Sequence, residues 1–317
     1  MAAVNTLEAI EAIPTGKALG AEVRGIDFAQ PMPEAVAAEV KRIWAENLVL
    51  LFRGLKLSDD DLLAAADIFG GQQTAGSRQY FLDAGFKAGE THRVAKQAGI
   101  SIVSNLDKDG EPVKTTEAVG SLGLKWHTDN SYVEVPPAGS LLHAHVVPVD
   151  GGGHTAFNNQ YLAYETLSDD LKDRIEGKHI RHDNLRNTAG RFRPTVEPPK
   201  TREDVNGPAH PIVRVHPVTG KRALYLGRHY EWPSSHVVEL DDGESEALLG
   251  ELWAHATQDH LAWTHDDWAP GDLILWDNRC TMHARSPVDH TQPRVLHRAL
   301  IKGEPIVSAW DSGAAAD

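Results

Sequence analysis

The feature that most constrains the fold is a series of short apolar runs that begins near residue 98 and continues almost to the C-terminus. Gly, Pro, Asn or Asp bounds each run, which is typical of short strands joined by turns. The clearest runs are ISIVSN, SLLHAHVVP, HTAFNN, PIVRVHP, RALYLG, DLILWDN and VLHRALIKG. Many short strands with a few helices predict a mainly β protein with flanking helices around a double-stranded β-helix, or jelly-roll, core.

Helical patterns are few and lie mostly in the N-terminal third. Residues 33–47 carry apolar side chains at helical spacing. Ser58, followed by three acids, is predicted to cap a second helix. Residues 161–177 predict one surface helix, and residues 216–227 predict a hairpin turning at a Thr-Gly pair.

The length and composition fit one large soluble domain. The chain has 317 residues, of which 41% are hydrophobic and 24% charged, as in ordinary globular proteins. We therefore predict a single domain over residues 1–317. The N-terminus has neither a basic start nor an apolar core of a signal peptide, and no apolar run approaches the roughly 20 residues of a membrane span. These features predict a cytoplasmic protein.

Charge and cysteine content narrow the chemistry. The formal net charge is −14, which argues against binding nucleic acid or an anionic membrane but not against a small anionic substrate. Cys280 is the only cysteine, so an internal disulfide and a thiolate metal cluster are both excluded. Any metal must be bound by His, Asp or Glu. A homo-oligomer is the expected assembly.

Two irregular segments are candidates for mobile walls. Residues 181–210 are polar, rich in Arg and Pro, and without a clear period. They fit either a solvated surface loop or a lid over a site, since long loops in compact domains are often functional. Residues 72–96 are similarly irregular and could form a second mobile wall.

Three residues have the types and positions of a metal site. His127 and Asp129 are two apart in KWHTDNSY, so an extended strand would turn both to one side. His283 follows the strand-like run DLILWDN. Two histidines and one carboxylate form the facial triad of non-haem iron(II) oxygenases. Taken singly, the first two also fit a hydrogen-bonded pair at a strand end, and His283 a surface histidine.

Two arginines follow at a suggestive spacing. Arg294 and Arg298 lie eleven and fifteen residues after His283, and with Leu296 they share one face of a strand. Burying two arginines on an otherwise apolar face is costly unless anions pair with them. A dicarboxylate cosubstrate would supply such an anion. The alternative is a solvated strand face.

With these residues in view, the chain resembles the taurine dioxygenase and 2,4-dichlorophenoxyacetate dioxygenase family of iron(II)/2-oxoglutarate oxygenases. The resemblance covers nearly the whole chain and rests on several segments in the family's order. These segments are GAEVRGIDF, LVLLFRG, ADIFG, WHTDNSY, PPAGSLLHAHVVPVDGGGHTAF, YETLS, WDNRCTMHA and RVLHRA.

The resemblance assigns roles to individual residues. It implies that His127, Asp129 and His283 bind iron, and that Thr155 and Arg294 bind the distal carboxylate of 2-oxoglutarate. It places Arg298 at the substrate end of the site. One departure is GGGHTAF, where His154 stands at a position commonly occupied by an acid. Further candidates for substrate binding are Asn105, Tyr132 and His229.

The resemblance also implies a reaction. Fe(II) with 2-oxoglutarate and O2 as cosubstrates would hydroxylate a small anionic substrate and release succinate and CO2. Segments IVSNLDKDGEPV and RALYLGRHYEW favour an aryloxyalkanoate such as 2,4-dichlorophenoxyacetate, whose ether would break through a hemiacetal. Taurine, or an alkyl sulfonate or sulfate, is the alternative.

Two other classes of protein stay open from the sequence. One is a catalytically inactive jelly-roll binding protein. The other is a zinc hydrolase, because two histidines and a carboxylate also suit catalytic zinc. His143 and His145 flank Ala144 in a strand-like run and could imitate ligands, although structural strand positions are the favoured interpretation. Cys280 is expected to be a buried small side chain.

Overall fold

The computed structural model describes residues 4–74, 78, 82–83, 85, 87–89, 94–107, 109–113, 121–149, 152–193 and 196–311. The helices are α1 (Glu34–Asn47), α2 (Asp59–Ile68), α3 (Gln160–Glu165), α4 (Asp169–Ile175) and α5 (Asp242–Ala256). The strands are β1 (Glu11–Pro14), β2 (Ala21–Arg24), β3 (Val49–Phe52), β4 (Gln72–Gln73), β5 (Ile100–Ser104), β6 (Leu124–His127), β7 (Gly139–Val146), β8 (Thr155–Asn159), β9 (His179–Arg181), β10 (Ala209–Pro211), β11 (Val213–Val215), β12 (Arg222–Leu224), β13 (His236–Val237), β14 (Ala262–His265), β15 (Leu273–Asp277), β16 (Thr281–Arg285), β17 (Val295–Ile301) and β18 (Val307–Ser308).

Two sheets form the predicted jelly-roll core. The major sheet has the order β1-β2-β3-β15-β7-β17-β4, and β5 also pairs with β17. The minor sheet has the order β14-β8-β16-β6. Strands that are neighbours in the sheets are mostly distant in sequence, as β3 and β15 are, which is characteristic of jelly rolls. Two three-stranded sheets, β10-β9-β13 and β12-β11-β18, lie outside this core.

Each apolar core is packed between two layers. Phe157, Trp276 and Leu296 belong to the core between the two main sheets. A second core fills the space between α1, α2 and the major sheet, and a third lies among α3, α5 and the small sheets. The alternation of side chains along each strand explains this arrangement, because one face of the major sheet meets the minor sheet and the other meets helices.

The local signals at helix ends and turns agree with the structure. Ser58 caps α2 through a capping box: its Oγ accepts a hydrogen bond from Asp61 N–H at 3.2 Å, and the Asp61 carboxylate accepts one from Ser58 N–H at 2.8 Å. The hairpin β11–β12 turns through Gly220, whose φ of 69° suits a glycine. Cys280 is buried, as expected.

The prediction of one helix over 161–177 is wrong. The segment forms two helices, α3 and α4, interrupted after Glu165. Ser168 starts the second helix, and its Oγ accepts a hydrogen bond from Leu171 N–H at 3.2 Å. A serine that caps competes with a continuous helix because its side chain satisfies a free backbone donor.

The segment 181–210 is more structured than a solvated loop. Its ends pair as β9 and β10, with Arg181 opposite Ala209. His182 and Asp183 are each 1% exposed, so its first part belongs to the interior. Of the segment 72–96, β4 pairs with β17, and much of the remainder lies outside the described residues.

In the described part of the chain, no helix is both long and apolar enough to cross a membrane.

Candidate active site

The structure brings the three predicted metal ligands together on the minor sheet. His127 ends β6 and His283 lies in β16, where the two are cross-strand partners with ring centroids 4.1 Å apart. The Nε2 atom of His127 is 3.7 Å from Asp129 Oδ1, and that of His283 is 4.0 Å from Asp129 Oδ2. All three side chains are buried. Three donor atoms therefore converge on one point.

The Nε2 atoms of both imidazoles face that point. His127 Nδ1 lies 2.8 Å from the carbonyl oxygen of Lys125, so an N–H donated there leaves Nε2 with a lone pair. Burial, and then the neighbouring His127, lower the pKa of His283 well below its ordinary value. The His283 ring is therefore neutral at neutral pH.

Asp129 is held in place through its backbone and its carboxylate. Its N–H donates to Asn278 Oδ1 at 2.9 Å, and Asn278 Nδ2 donates back to the Asp129 carbonyl at 2.9 Å. Arg298 Nη1 donates to Asp129 Oδ2 at 2.9 Å. Burial alone would raise the pKa of Asp129, but Arg298 and the two histidines outweigh it and hold that pKa well below normal. An ionised carboxylate beside two imidazoles fits a divalent transition metal.

Arg294 is a buried cation close to this point. It is 2% exposed, and no carboxylate of the described residues forms an ion pair with it. Its Nη2 donates only a long hydrogen bond, 3.5 Å, to the carbonyl of Gly153. Burial, with repulsion from Arg285, lowers the pKa of Arg294 to about 9. A guanidinium in this state is poised to pair with an anion that enters the site.

One cavity connects the triad to the arginines. Its wall consists of apolar, hydroxyl and cationic side chains beside the three candidate ligands: Val103, Leu124, His127, Asp129, Leu142, Thr155, Thr188, Trp276, His283, Arg285, Arg294 and Arg298. The predicted Thr155 and Arg298 are thus in the same cavity as Arg294. A wider surface groove beside Trp126 and Trp263 contains none of the triad.

Sequence reasoning missed Arg285, which also lines the cavity. It lies two residues after His283 in β16 and opposite Thr155 in β8. The same period-two argument that joined His127 to Asp129 would have identified it. It is 8% exposed, and burial lowers its pKa to about 10. The cavity therefore contains three arginines.

A second missed residue, Arg228, ties the segment 181–210 to the site. It is 3% exposed, and its Nη2 donates to Thr188 Oγ1 at 3.0 Å. Thr188 in turn lines the cavity. The segment therefore contributes to the cavity wall, which a solvated loop would not do.

Three predicted substrate-binding residues are placed outside the cavity lining. Asn105 is fully engaged with the backbone: its Oδ1 accepts from Arg294 N–H at 2.8 Å and its Nδ2 donates to Gln292 O at 2.8 Å. The predicted substrate contact of Asn105 is therefore without support, because its amide holds the strand that carries Arg294. Tyr132 donates to Asn130 Oδ1 at 3.0 Å.

His229 and His154 lie further out. The ring of His229 stacks on that of Trp253, with centroids 6.0 Å apart. His154 is exposed, and its backbone N–H donates to Ser286 Oγ at 3.0 Å. The exposed position of His154 explains why this departure from the family pattern leaves Thr155 in the cavity wall.

Comparison with known proteins decides the family. The model of the "Taurine catabolism dioxygenase TauD, TfdA family" matches residues 10–300. This chain belongs to that family. Members of the family are 2-oxoglutarate-dependent dioxygenases, so this protein is one as well. The match also confirms the predicted jelly-roll core and the family resemblance found in the sequence.

Relatives of this TauD/TfdA family protein align over almost their whole length. The (S)-phenoxypropionate/alpha-ketoglutarate-dioxygenase of Sphingobium herbicidovorans is 31% identical, over 94% of this chain and 96% of the relative. The alpha-ketoglutarate-dependent 2,4-dichlorophenoxyacetate dioxygenase of Cupriavidus pinatubonensis is 32% identical, over 94% and 99%. The crystal structure of AAD-2 with Mn(II) and N-oxalylglycine superposes with a TM-score of 0.76 at 30% identity, covering 94% and 99%. Together they imply 2-oxoglutarate and a metal for the family protein described here.

Proposed function

We propose that this protein is an Fe(II)- and 2-oxoglutarate-dependent oxygenase whose iron ligands are His127, Asp129 and His283. The observation that carries the proposal is their convergence: one ligand atom from each lies within 4.8 Å of the others. Three ligands on one side leave the remaining metal positions open for cosubstrate and O2. We also propose that the whole chain serves as one domain, because both main sheets contribute residues to this site.

Arg294 and Thr155 are the proposed partners of the distal carboxylate of 2-oxoglutarate. Arg294 is buried and forms no ion pair with a carboxylate of the described residues. Binding of a dicarboxylate would therefore offset the free-energy cost of burying an unpaired guanidinium. Thr155 lies in the same cavity wall on β8 and offers a hydroxyl donor. Bound iron and 2-oxoglutarate together supply activation of O2, with succinate, CO2 and hydroxylated substrate as products.

The protein's own residues position the reactants and exclude water. Arg298 keeps the Asp129 carboxylate ionised and oriented through the 2.9 Å hydrogen bond. Val103, Leu142 and Trp276 form an apolar wall that limits the access of water to the reacting centre. The cavity therefore has an apolar zone, formed by this wall, and a cationic zone, formed by the arginines.

An aryloxyalkanoate is the proposed substrate. The apolar wall suits an aromatic ring, and the buried Nε of Arg298 has no hydrogen-bond partner among the described residues, which leaves a donor for a carboxylate. The two relatives above act on phenoxypropionate and 2,4-dichlorophenoxyacetate by name. Hydroxylation of the carbon beside the ether oxygen gives a hemiacetal, which collapses to a phenol and a carbonyl product. A taurine-like sulfonate or an alkyl sulfate is the second candidate, because Arg298 pairs with sulfonate oxygens equally well.

A substrate panel tests the proposal. Aryloxyacetates, aryloxypropionates, taurine and alkyl sulfates are incubated with Fe(II), 2-oxoglutarate and O2, and succinate is measured. We expect succinate above the uncoupled background with aryloxyalkanoates and release of the phenol. Strong turnover of taurine with none of the aryloxyalkanoates would reverse the ranking. Hydrolysis without O2 would support a zinc hydrolase, and binding without succinate an inactive binding protein.

A further inference from the structure

A second group of metal-ligand side chains lies on the face of the major sheet opposite the triad. Asp59 is the first residue of α2, His145 lies near the end of β7, and His297 lies in β17. One ligand atom from each is within 4.8 Å of the others. Side chains alternate along a strand, so His297 shares the helix-facing side with Ala299, whereas Arg298 points to the triad. The two groups therefore share no ligand.

Direct contacts hold this outer cluster together. His297 Nδ1 lies 2.6 Å from Asp59 Oδ1, and the rings of His145 and His297 have centroids 4.0 Å apart. The side chains of Asp59 and His297 are 18% and 17% exposed. His145 is partly exposed, so an ion from solvent can reach the cluster while the carboxylate remains largely shielded.

The neighbouring His143 packs against the cluster. It is the cross-strand partner of His297 and is 4% exposed. Its Nδ1 is buried and has no hydrogen-bond partner among the described residues. Its ring centroid is 4.7 Å from that of His145. Three imidazoles packed beside one carboxylate leave more nitrogen lone pairs than hydrogen bonds use.

The residue types of the cluster suit metal binding. Imidazole nitrogens beside a carboxylate are the ligand set that zinc, copper and nickel ions take in proteins.

We propose that Asp59, His145 and His297 form a second metal site, which binds a divalent transition metal ion of the zinc class. Zinc bonds of about 2.0–2.2 Å hold tetrahedral ligands about 3.4 Å apart. Binding would therefore lengthen the 2.6 Å contact between His297 Nδ1 and Asp59 Oδ1. The fourth position is open to water. The ion joins the start of α2 to β7 and β17.

Zinc stoichiometry by equilibrium dialysis tests the site on the full chain after metal removal. A His127→Ala/His283→Ala variant, called the triad variant here, lacks two of the three triad ligands and is expected to bind one zinc ion per chain. Adding His145→Ala to that variant should weaken zinc binding at least tenfold. Adding Asp59→Asn instead should have the same effect, and it preserves side-chain size at a helix N-terminus if the histidine variant folds poorly.

A matched control is available elsewhere on the surface. His179 Nδ1 lies 2.8 Å from Glu239 Oε1, so this pair has the same histidine–carboxylate contact as His297 and Asp59. Among the described residues, however, the pair belongs to no group of three candidate metal ligands. His179→Ala in the triad variant should leave zinc affinity unchanged. A triad variant that binds no zinc, or one whose affinity survives both His145→Ala and Asp59→Asn, overturns the proposal. The readout is metal rather than turnover, so the result is independent of the proposed oxygenase activity.

Discussion

The metal-ligand triad and the group around Asp277 both combine buried histidine with a buried carboxylate, yet of these two only the triad has the properties of a catalytic metal site. In the triad, Asp129 accepts one short hydrogen bond, from Arg298 at 2.9 Å on Oδ2. Its Oδ1 faces the Nε2 of His127 at 3.7 Å. Lone pairs of the carboxylate and of the imidazole therefore point to the same space.

The contrasting group lies at the end of β15. Arg279 Nε and Nη2 donate to the two oxygens of Asp277 at 2.9 and 2.6 Å, and His216 Nε2 lies 3.0 Å from Oδ2. Burial raises the pKa of the adjacent Cys280 thiol well above its ordinary value, so the thiol is protonated. Residue types and burial are alike in the two groups. The two groups differ in how many lone pairs of the carboxylate remain free of protein hydrogen-bond donors. Donors occupy both oxygens of Asp277, whereas Asp129 keeps lone pairs that a metal ion can bind.

The largest expected effect is the loss of turnover in the triad. His127→Ala, Asp129→Ala or His283→Ala should each reduce succinate formation to background, because the metal loses one of three ligands. Circular dichroism and the thermal midpoint should stay close to wild type, since the core between the sheets does not depend on an ion. Wild-type turnover by any of the three variants would refute that residue as a ligand.

The Asp277 network should show the reverse pattern, with stability affected first. Asp277→Asn leaves the buried Arg279 with only the partly exposed Glu304 as an anionic partner, 3.3 Å from its Nη1, and breaking a buried pair costs about 3–5 kcal/mol. Urea denaturation at neutral pH measures the free energy of unfolding. Asp129→Asn is the matched control: it should abolish turnover with a smaller loss of stability, because Arg298 is more exposed than Arg279, at 19% against 9% of the side chain.

The same network predicts a dependence of stability on pH. Burial alone would raise the pKa of Asp277, but Arg279 and His216 lower it far below its ordinary value. The folded pKa lies below the unfolded value of about 4, so this group stabilises the protein above about pH 4 and that contribution is lost as pH falls through the folded pKa. Asp277→Asn should therefore show a shallower loss of stability below about pH 4. An unchanged acid dependence would contradict the assignment.

Comparison of Arg294, which immediately precedes β17, with Arg298 in β17 gives the next prediction. Arg294→Ala removes the proposed partner of the distal carboxylate, and losing one member of such a pair costs on the order of 2–5 kcal/mol. The apparent affinity for 2-oxoglutarate should fall at least tenfold in titrations read by succinate formation. Arg298→Ala should weaken substrate binding more than 2-oxoglutarate binding. The opposite result would mean that the two roles are exchanged.

The smallest predicted effect concerns Thr155. Thr155→Ala removes one hydrogen bond to a charged group, about 1.5–3 kcal/mol, so the affinity for 2-oxoglutarate should fall less than in Arg294→Ala. Thr155→Ser keeps the hydroxyl and should retain most of the affinity. Equal losses in the serine and alanine variants would show that packing, not the hydroxyl, matters at this position.

Much of the fold and of the site could be predicted from the sequence where the signal is local. The capping box of Ser58, the hairpin at Gly220 and the alternation of apolar residues in strands depend on neighbours in the chain, and all appear in the structure. Periodicity also predicted that Arg294 and Arg298 face the same side, and both line one cavity. The triad combines residues from two distant segments of the chain. Their association could be predicted only because several motifs occur in the same order as in a known family.

Only the tertiary structure decided which polar groups meet. It bound the amide of Asn105 to the backbone of Arg294, brought Arg285 into the cavity wall and set Arg228 against Thr188. It also packed His145 and His297 against Asp59 from another element. Sequence determines which side of a strand a residue faces, because side chains alternate. It does not determine which strand lies alongside in a jelly roll, because sheet neighbours there are separated by long stretches of chain. The pairing of strands therefore decides which hydrogen-bond donors surround each carboxylate. It leaves Asp129 with free lone pairs and Asp277 with donors on both oxygens.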